Sequence, residues 1–200
     1  MSNSGVDKSI DCKGLSCPMP IIRTKKAMEE LTPGQVLEVL ATDPGSVADV
    51  KSWANRIGHQ FIGTREDDGI YRHYVRKADP EEQKPEKKYP QVVSNDELVH
   101  KLQDKPTILD VREPMEYVFG HIPDAKSVPF GKLEEALAGM NDLSEQEVYV
   151  VCRTGHRSDA ACQLFSEKGF VKVKNVVPGM SEWTGPVEAS HEDKEEVVFQ

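Results

Sequence analysis

The sequence predicts an α/β chain of two folded parts: an N-terminal βαβαββ two-layer sandwich, and a C-terminal α/β domain with a parallel central sheet. Three observations carry this. Strand-like apolar runs alternate with helix-like i, i+3, i+4 patterns in both halves. A polar stretch, residues 79–90, separates the halves with three prolines and seven charges. The β-branched run Val148-Tyr149-Val150-Val151 leads into Cys152-Arg153-Thr154-Gly155-His156-Arg157-Ser158, and a helical pattern through Ala161, Leu164 and Phe165 follows. Buried strand, tight loop and helix is the unit from which parallel sheets are built.

In the first half, residues 7–78, Lys8 to Cys12 reads as a strand and Gly14-Leu15-Ser16 as a turn. Cys17-Pro18-Met19-Pro20 precedes Ile21, Thr24, Met28 and Leu31 at helical spacing. Proline is tolerated in a first helical turn because those N–H groups have no intrahelical partner, so Cys17 lies at a helix start. Thr32-Pro33-Gly34 ends the helix, and Gln35 to Ala41 is a strand. Asp43-Pro44 starts a second helix with Val47, Val50, Trp53, Ala54 and Ile57 inward, and Gly58 stops it. His59–Glu66 and Ile70–Arg76 are strands joined by Asp67-Asp68-Gly69, a hairpin signal. His59 and His73 are expected on the strand surface. Fully extended, the 79–90 linker spans at most about 40 Å.

In the second half, residues 91–185, Val92-Val93 enters and Ser94 to Glu97 forms a capping box for a helix through Leu98 and Leu102. Thr107–Val111 is a buried strand. Glu113-Pro114 opens a short helix that Gly120 stops, and Lys132–Ala138 is another helix. The strand to Val151, the reactive loop, a Ser158–Lys168 helix, a strand at Val173–Val176 and a turn at Gly179 to Trp183 complete it. Residues 186–200 read as an acidic tail whose apolar end, Val197-Val198-Phe199, is a possible edge strand.

A cysteine at a strand end ahead of a helix faces unused backbone N–H groups and the positive end of the helix dipole. Arg153, His156 and Arg157 add cationic or donor groups, so the thiolate of Cys152 is expected to be favoured and nucleophilic. The same dipole argument applies to Cys17. Cys12 and Cys162 read as packed thiols, with a Cys12–Cys17 disulfide and a resolving role for Cys162 as the minority alternatives.

Composition narrows the class. The chain has 38% hydrophobic residues and a net charge of −9. Residues 1–78 hold 11 basic and 10 acidic groups, 91–185 hold 10 and 15, and 186–200 hold 1 and 5. No segment has the basic excess of a nucleic-acid binder. No run approaches 18 apolar residues and no apolar leader opens the chain, so neither a membrane partner nor a secretory signal is expected. Four cysteines with no Cys-x-x-Cys and no paired-histidine spacing support neither a disulfide scaffold nor a zinc site, and the chemistry calls for no cofactor. A reducing cytoplasm is the expected setting. The sequence leaves the oligomeric state open.

Two resemblances sharpen this. Asp11-x-x-Gly14-Leu15-x-Cys17-Pro18-x-Pro20, Asp43-Pro44 and Trp53 with Gly58-His59 resemble the TusA (SirA-like) sulfur-carrier family. That resemblance implies that Cys17 carries sulfur as a persulfide. Asp110-Val111-Arg112-Glu113-x-x-Glu116-Tyr117-x-x-Gly120-His121-Ile122, the Cys152 loop and Gly179-Met180-x-x-Trp183 resemble the rhodanese family. That implies a rhodanese-like domain in which Cys152 carries the transferred sulfur. Arg153, Thr154, Gly155, His156 and Arg157 would then cradle the sulfur or the anionic donor, and Asp110 and Arg112 would brace the loop. Four residues separate Cys152 from Arg157, whereas related phosphatases of that fold have five, in a wider cup. The expected function is a sulfurtransferase. It takes sulfane sulfur from thiosulfate or a low-molecular-weight persulfide at Cys152 and relays it through Cys17 to a thiol or protein acceptor. A phosphatase or arsenate reductase, and a non-catalytic thiol redox or binding module, are the alternatives.

Overall fold

The computed structural model describes residues 5–80 and 88–190. The chain divides into two compact units, Met1–Glu81 and Glu82–Gln200. The first contains β1 (Lys8–Asp11), α1 (Met19–Glu29), β2 (Val36–Ala41), α2 (Ser46–Arg56), β3 (Gln60–Asp67) and β4 (Ile70–Arg76), which is the expected βαβαββ order. Its sheet runs β1-β2-β4-β3, with β1 parallel to β2 and the other pairs antiparallel. Met28 and Leu31, with Val50, Trp53 and Ala54 of α2, close over Leu37, Val39 and Val75 of the sheet. Those helical residues are the apolar stripe that the i, i+3, i+4 pattern predicts. Lys77 Nζ donates to Met28 O (2.9 Å) and Leu31 O (2.6 Å), placing a cation on carbonyls at the end of α1.

Two readings change in this unit. Helix α2 begins at Ser46, because Asp43 and Pro44 form a turn in which Asp43 O accepts from both the N–H (3.0 Å) and the hydroxyl (2.6 Å) of Ser46. His73 is fully buried, not on the surface. It lies on β4, an inner strand of the sheet, with Nε2 2.9 Å from Ser46 Oγ and Nδ1 2.8 Å from Thr64 Oγ1. Since the Ser46 proton goes to Asp43 O, Nε2–H donates and Nδ1 accepts, which defines a neutral ring. Burial pushes its pKa down to about 4.

The second unit contains β5 (Val92–Ser94), α3 (Asn95–Lys101), β6 (Thr107–Asp110), α4 (Pro114–Phe119), β7 (Lys126–Ser127), α5 (Leu133–Leu137), β8 (Val148–Val151), α6 (His156–Glu167) and β9 (Val173–Val177). Its sheet runs β5-β9-β8-β6-β7, and all these pairs are parallel. All four residues of β8 are buried. Leu109, Val148 and Val150 pack with Leu133 and Phe165 in one cluster, while Ile108, Tyr149 and Val151 pack with Leu98 and Ile122 in another. Two apolar clusters explain why the strands read as continuous apolar runs. The predicted capping box exists, with Ser94 and Glu97 bonding each other's backbone N–H groups. The two-residue β7 was not legible as a strand.

Two boundaries also differ. Tyr89, read as linker, is buried in the core of the second unit. Residues read as the start of the tail are paired: Glu188 exchanges both backbone bonds with His121 at 2.8 Å, and Ser190 N–H reaches Val118 O. Linker residues 81–87 and tail residues 191–200, with the possible edge strand, lie outside the described residues. Among the described residues no helix is long and apolar enough to cross a membrane.

Candidate active site

Cys152 directly follows β8, the middle strand, at the carboxyl end of a parallel sheet. It is fully buried. Its Sγ accepts from the Gly155 N–H at 3.2 Å and lies 3.3 Å from the Ser158 hydroxyl. Gly155 is the N-cap of α6 with φ +87°, and a Cβ there would lie 2.9 Å from Val177 Cγ1. Only glycine satisfies both demands, and it turns its amide onto the sulfur. This early cap starts α6 at His156, two residues before the predicted start. Met180 N–H donates to Cys152 O (2.9 Å) and Ser181 N–H to Arg153 O (2.8 Å), so the loop is held from behind.

Arg153, Thr154 and His156 are exposed around the buried sulfur. Arg157 departs from the expected donor cradle. Its side chain is 5% exposed, and its Nη1 and Nη2 lie 2.8 and 3.0 Å from Glu116 Oε2 and Oε1, with Glu113 at 3.8 Å. Engaged by a buried carboxylate, this guanidinium ties α6 to α4. Asp110 and Arg112 form a second buried pair: Asp110 takes Arg112 Nη2 at 2.6 Å and the Arg112 N–H at 3.1 Å. Arg112 Nη2 also reaches Gly120 O at 2.7 Å, fastening the residue that follows α4. Glu116 attracts Arg112 as well, so the two pairs form one buried charge cluster.

Cys17 is exposed in the first unit, one residue before Pro18, the N-cap of α1. The favoured thiolate expected there is corrected. The nearby Asp49 carboxylate on α2, together with some desolvation and the charge of Asp43, raises the thiol's pKa. Asp49→Asn is therefore expected to move the midpoint of Cys17 alkylation to lower pH and to speed it at neutral pH. Iodoacetamide labelling in a Cys152→Ser chain measures this, and an unchanged midpoint would remove Asp49 from the account. Cys12 and Cys162 are buried free thiols whose pKa burial raises. Among the described residues no three His, Cys, Asp or Glu side chains gather as a metal site.

Sequence reasoning missed Asn175 and gave Ser158 and Glu116 no role. Asn175 had a signal: it is an amide at the centre of the strand Val173-Lys174-Asn175-Val176-Val177, at a buried position.

Comparison with known proteins agrees with both halves. The model of "Sulfurtransferase TusA" matches residues 8–77 and that of "Rhodanese-like domain" matches 94–186. A Bacillus subtilis protein named "Putative sulfur carrier protein YrkF" is 42% identical over 188 residues, covering 90% of this chain and 96% of the relative. "Sulfur carrier protein TusA" of Allochromatium vinosum is 40% identical over 72 residues, 36% of this chain and 95% of its own. A crystal structure of a rhodanese-like domain protein from Staphylococcus aureus is 30% identical, covers 50% of this chain and 99% of its own, and has a TM-score of 0.46. The match to the Bacillus protein runs through both halves in order, so the chain belongs to the family of sulfur carrier proteins in which a TusA domain precedes a rhodanese-like domain.

Proposed function

We propose that the protein is a sulfurtransferase that acquires sulfane sulfur at Cys152 and relays it through Cys17. One observation carries this reading: a buried sulfur at the end of the central strand, bonded by the Gly155 amide with the Ser158 oxygen 3.3 Å away, on a chain with a second, exposed cysteine ahead of α1. The Cys152 thiolate attacks the outer sulfur of thiosulfate. The bond between that sulfur and the sulfonate breaks, sulfite leaves with the electron pair, and Cys152 becomes a persulfide anion. The Gly155 N–H, bonded to Sγ, favours the attacking thiolate and receives it again when Cys152 leaves in the second step. In the second step the Cys17 sulfur attacks the terminal sulfur of that persulfide, Asp49 takes the thiol proton, and Cys152 leaves as thiolate. Cys17 then holds the persulfide for a thiol or protein acceptor. Tethering keeps the two cysteines at an effective concentration on the order of mM. Four free cysteines suit a reducing cytoplasm. The phosphatase reading loses support because Arg157, the cation a phosphate cup would use, is engaged by Glu116.

Wild type, Cys17→Ser and Cys152→Ser chains treated with thiosulfate test the proposal by intact mass and by thiocyanate release with cyanide. One sulfur atom is expected on Cys152 in the Cys17→Ser chain, sulfur on Cys17 only when Cys152 is intact, and no thiocyanate from Cys152→Ser. Full thiocyanate release from Cys152→Ser would refute the role of Cys152. A Cys17 that never gains mass would refute the relay.

A further inference from the structure

The segment that enters the second unit touches the reactive loop's supports at three places. Tyr89 N–H donates to Asp159 Oδ1 at 2.8 Å. Gln91 O accepts from Asn175 N–H at 2.9 Å, beside the pairing of β5 with β9. Asn95 holds both polar groups of Gly179: its Nδ2 donates to Gly179 O (3.0 Å) and its Oδ1 accepts from Gly179 N–H (3.2 Å).

These contacts converge on the sulfur. Asn175 is buried, and its Oδ1 accepts from the Ser158 hydroxyl at 2.6 Å. Its Nδ2 is shared between Gly155 O (3.2 Å) and Asp159 Oδ1 (3.4 Å). Gly155 N–H is bonded to Cys152 Sγ, and the Ser158 oxygen, whose one proton goes to Asn175, stands 3.3 Å from it. A continuous path therefore runs from Tyr89 N–H through the Asp159 carboxylate and the Asn175 amide to both groups beside the sulfur. A fully satisfied buried network of this kind holds its members in one geometry.

We propose that Asp159 and Asn175 are positioning residues for sulfur transfer, and that the backbone at Tyr89 is the anchor that orients them. This rests on the reading of Cys152 as the sulfur-acquiring cysteine. Asp159 Oδ1 takes both Tyr89 N–H and Asn175 Nδ2, and the other oxygen takes Gln163 Nε2 at 2.7 Å. The carboxylate thus orients Asn175, and Asn175 sets where the Ser158 oxygen and the Gly155 peptide stand relative to the sulfur. Asn175 is buried and both Asp159 oxygens are taken by protein groups, so these residues are expected to act on the chemical step and not on donor binding.

The full chain carrying Asp159→Ala or Asp159→Asn tests this. The two variants have the same charge, but only the asparagine retains an oxygen for Tyr89 and Asn175. With thiosulfate and cyanide, Asp159→Ala is expected to lower kcat about tenfold, in line with a small misplacement of reacting groups, and to leave KM for thiosulfate within about twofold. Asp159→Asn is expected to restore kcat. A wild-type kcat in Asp159→Ala, or an Asp159→Asn chain as slow as the alanine variant, overturns the proposal. Alkylation of Cys152 by iodoacetamide in a Cys17→Ser background needs no sulfur donor and is expected to follow the same order. That order without thiocyanate from wild type would sink the sulfur-transfer reading and leave the positioning path standing. Equal alkylation rates in the two variants would sink the path alone.

Discussion

Glu116→Ala is expected to destabilise the second domain by about 3–5 kcal/mol, the range for deleting one partner of a buried ion pair. Glu116 and Arg157 have side chains 1% and 5% exposed and make two parallel hydrogen bonds. Without the carboxylate, the guanidinium stays buried near a second cation, Arg112, with Glu113 at 3.8 Å as its ionic neighbour. Glu116 Oε2 also accepts the Glu113 N–H at 3.0 Å, so the start of α4 loses its capping box as well. Replacing both charges with leucine is expected to recover much of the loss, because it leaves no unpaired charge. Urea unfolding followed by Trp183 in a Trp53→Phe chain isolates this domain. A loss below about 1 kcal/mol for the single variant would mean that the pair is hydrated and not the brace described above.

Gly179→Ala is expected to reduce thiosulfate-dependent thiocyanate formation by about 100-fold or more, because it moves the loop that carries Cys152, the proposed nucleophile. Gly179 has φ +89° and ψ −161°, a region that is essentially glycine-only. A Cβ would fall 2.5 Å from Cys152 O and 3.1 Å from Arg153 O. Neither carbonyl can retreat freely, since each accepts a backbone N–H, from Met180 and Ser181. Gly179 itself is held on both sides by Asn95. Steady-state kcat measures the effect, with circular dichroism to confirm a folded domain. A folded Gly179→Ala chain with near-wild-type kcat would show that the loop is not positioned from behind.

The element order was legible because it is written locally. Strand period, prolines at a helix start and a capping box act over a few residues, so Cys17 and Cys152 could each be set at a helix entrance from sequence. What sits across from them could not. Arg157 looked like an anion ligand because its partner Glu116 lies 41 positions away on another helix. Cys17 looked activated because Asp49 reaches it only after α2 folds beside α1. His73 looked exposed because alternation along β4 does not reveal that Ser46 and Thr64 supply its partners. Tyr89 looked like linker because its polar neighbours mask one buried ring. In each case the deciding contact is tertiary, and it reverses a local electrostatic or polarity argument.

The strand order of the second sheet has a consequence for biosynthesis. The first-made strand, β5, is hydrogen-bonded to β9, the last-made, and β9 alone joins it to β8. A nascent chain on the ribosome therefore cannot close this sheet, or back the Cys152 loop with Gly179, until residues beyond 179 have emerged. All four strands of the first sheet are complete by Arg76, more than 100 residues earlier. Domains generally fold as units during synthesis, with the N-terminal one first. Translation thus delivers a finished TusA domain before Cys152 has its seat, the reverse of the order in which the proposed relay would use the two.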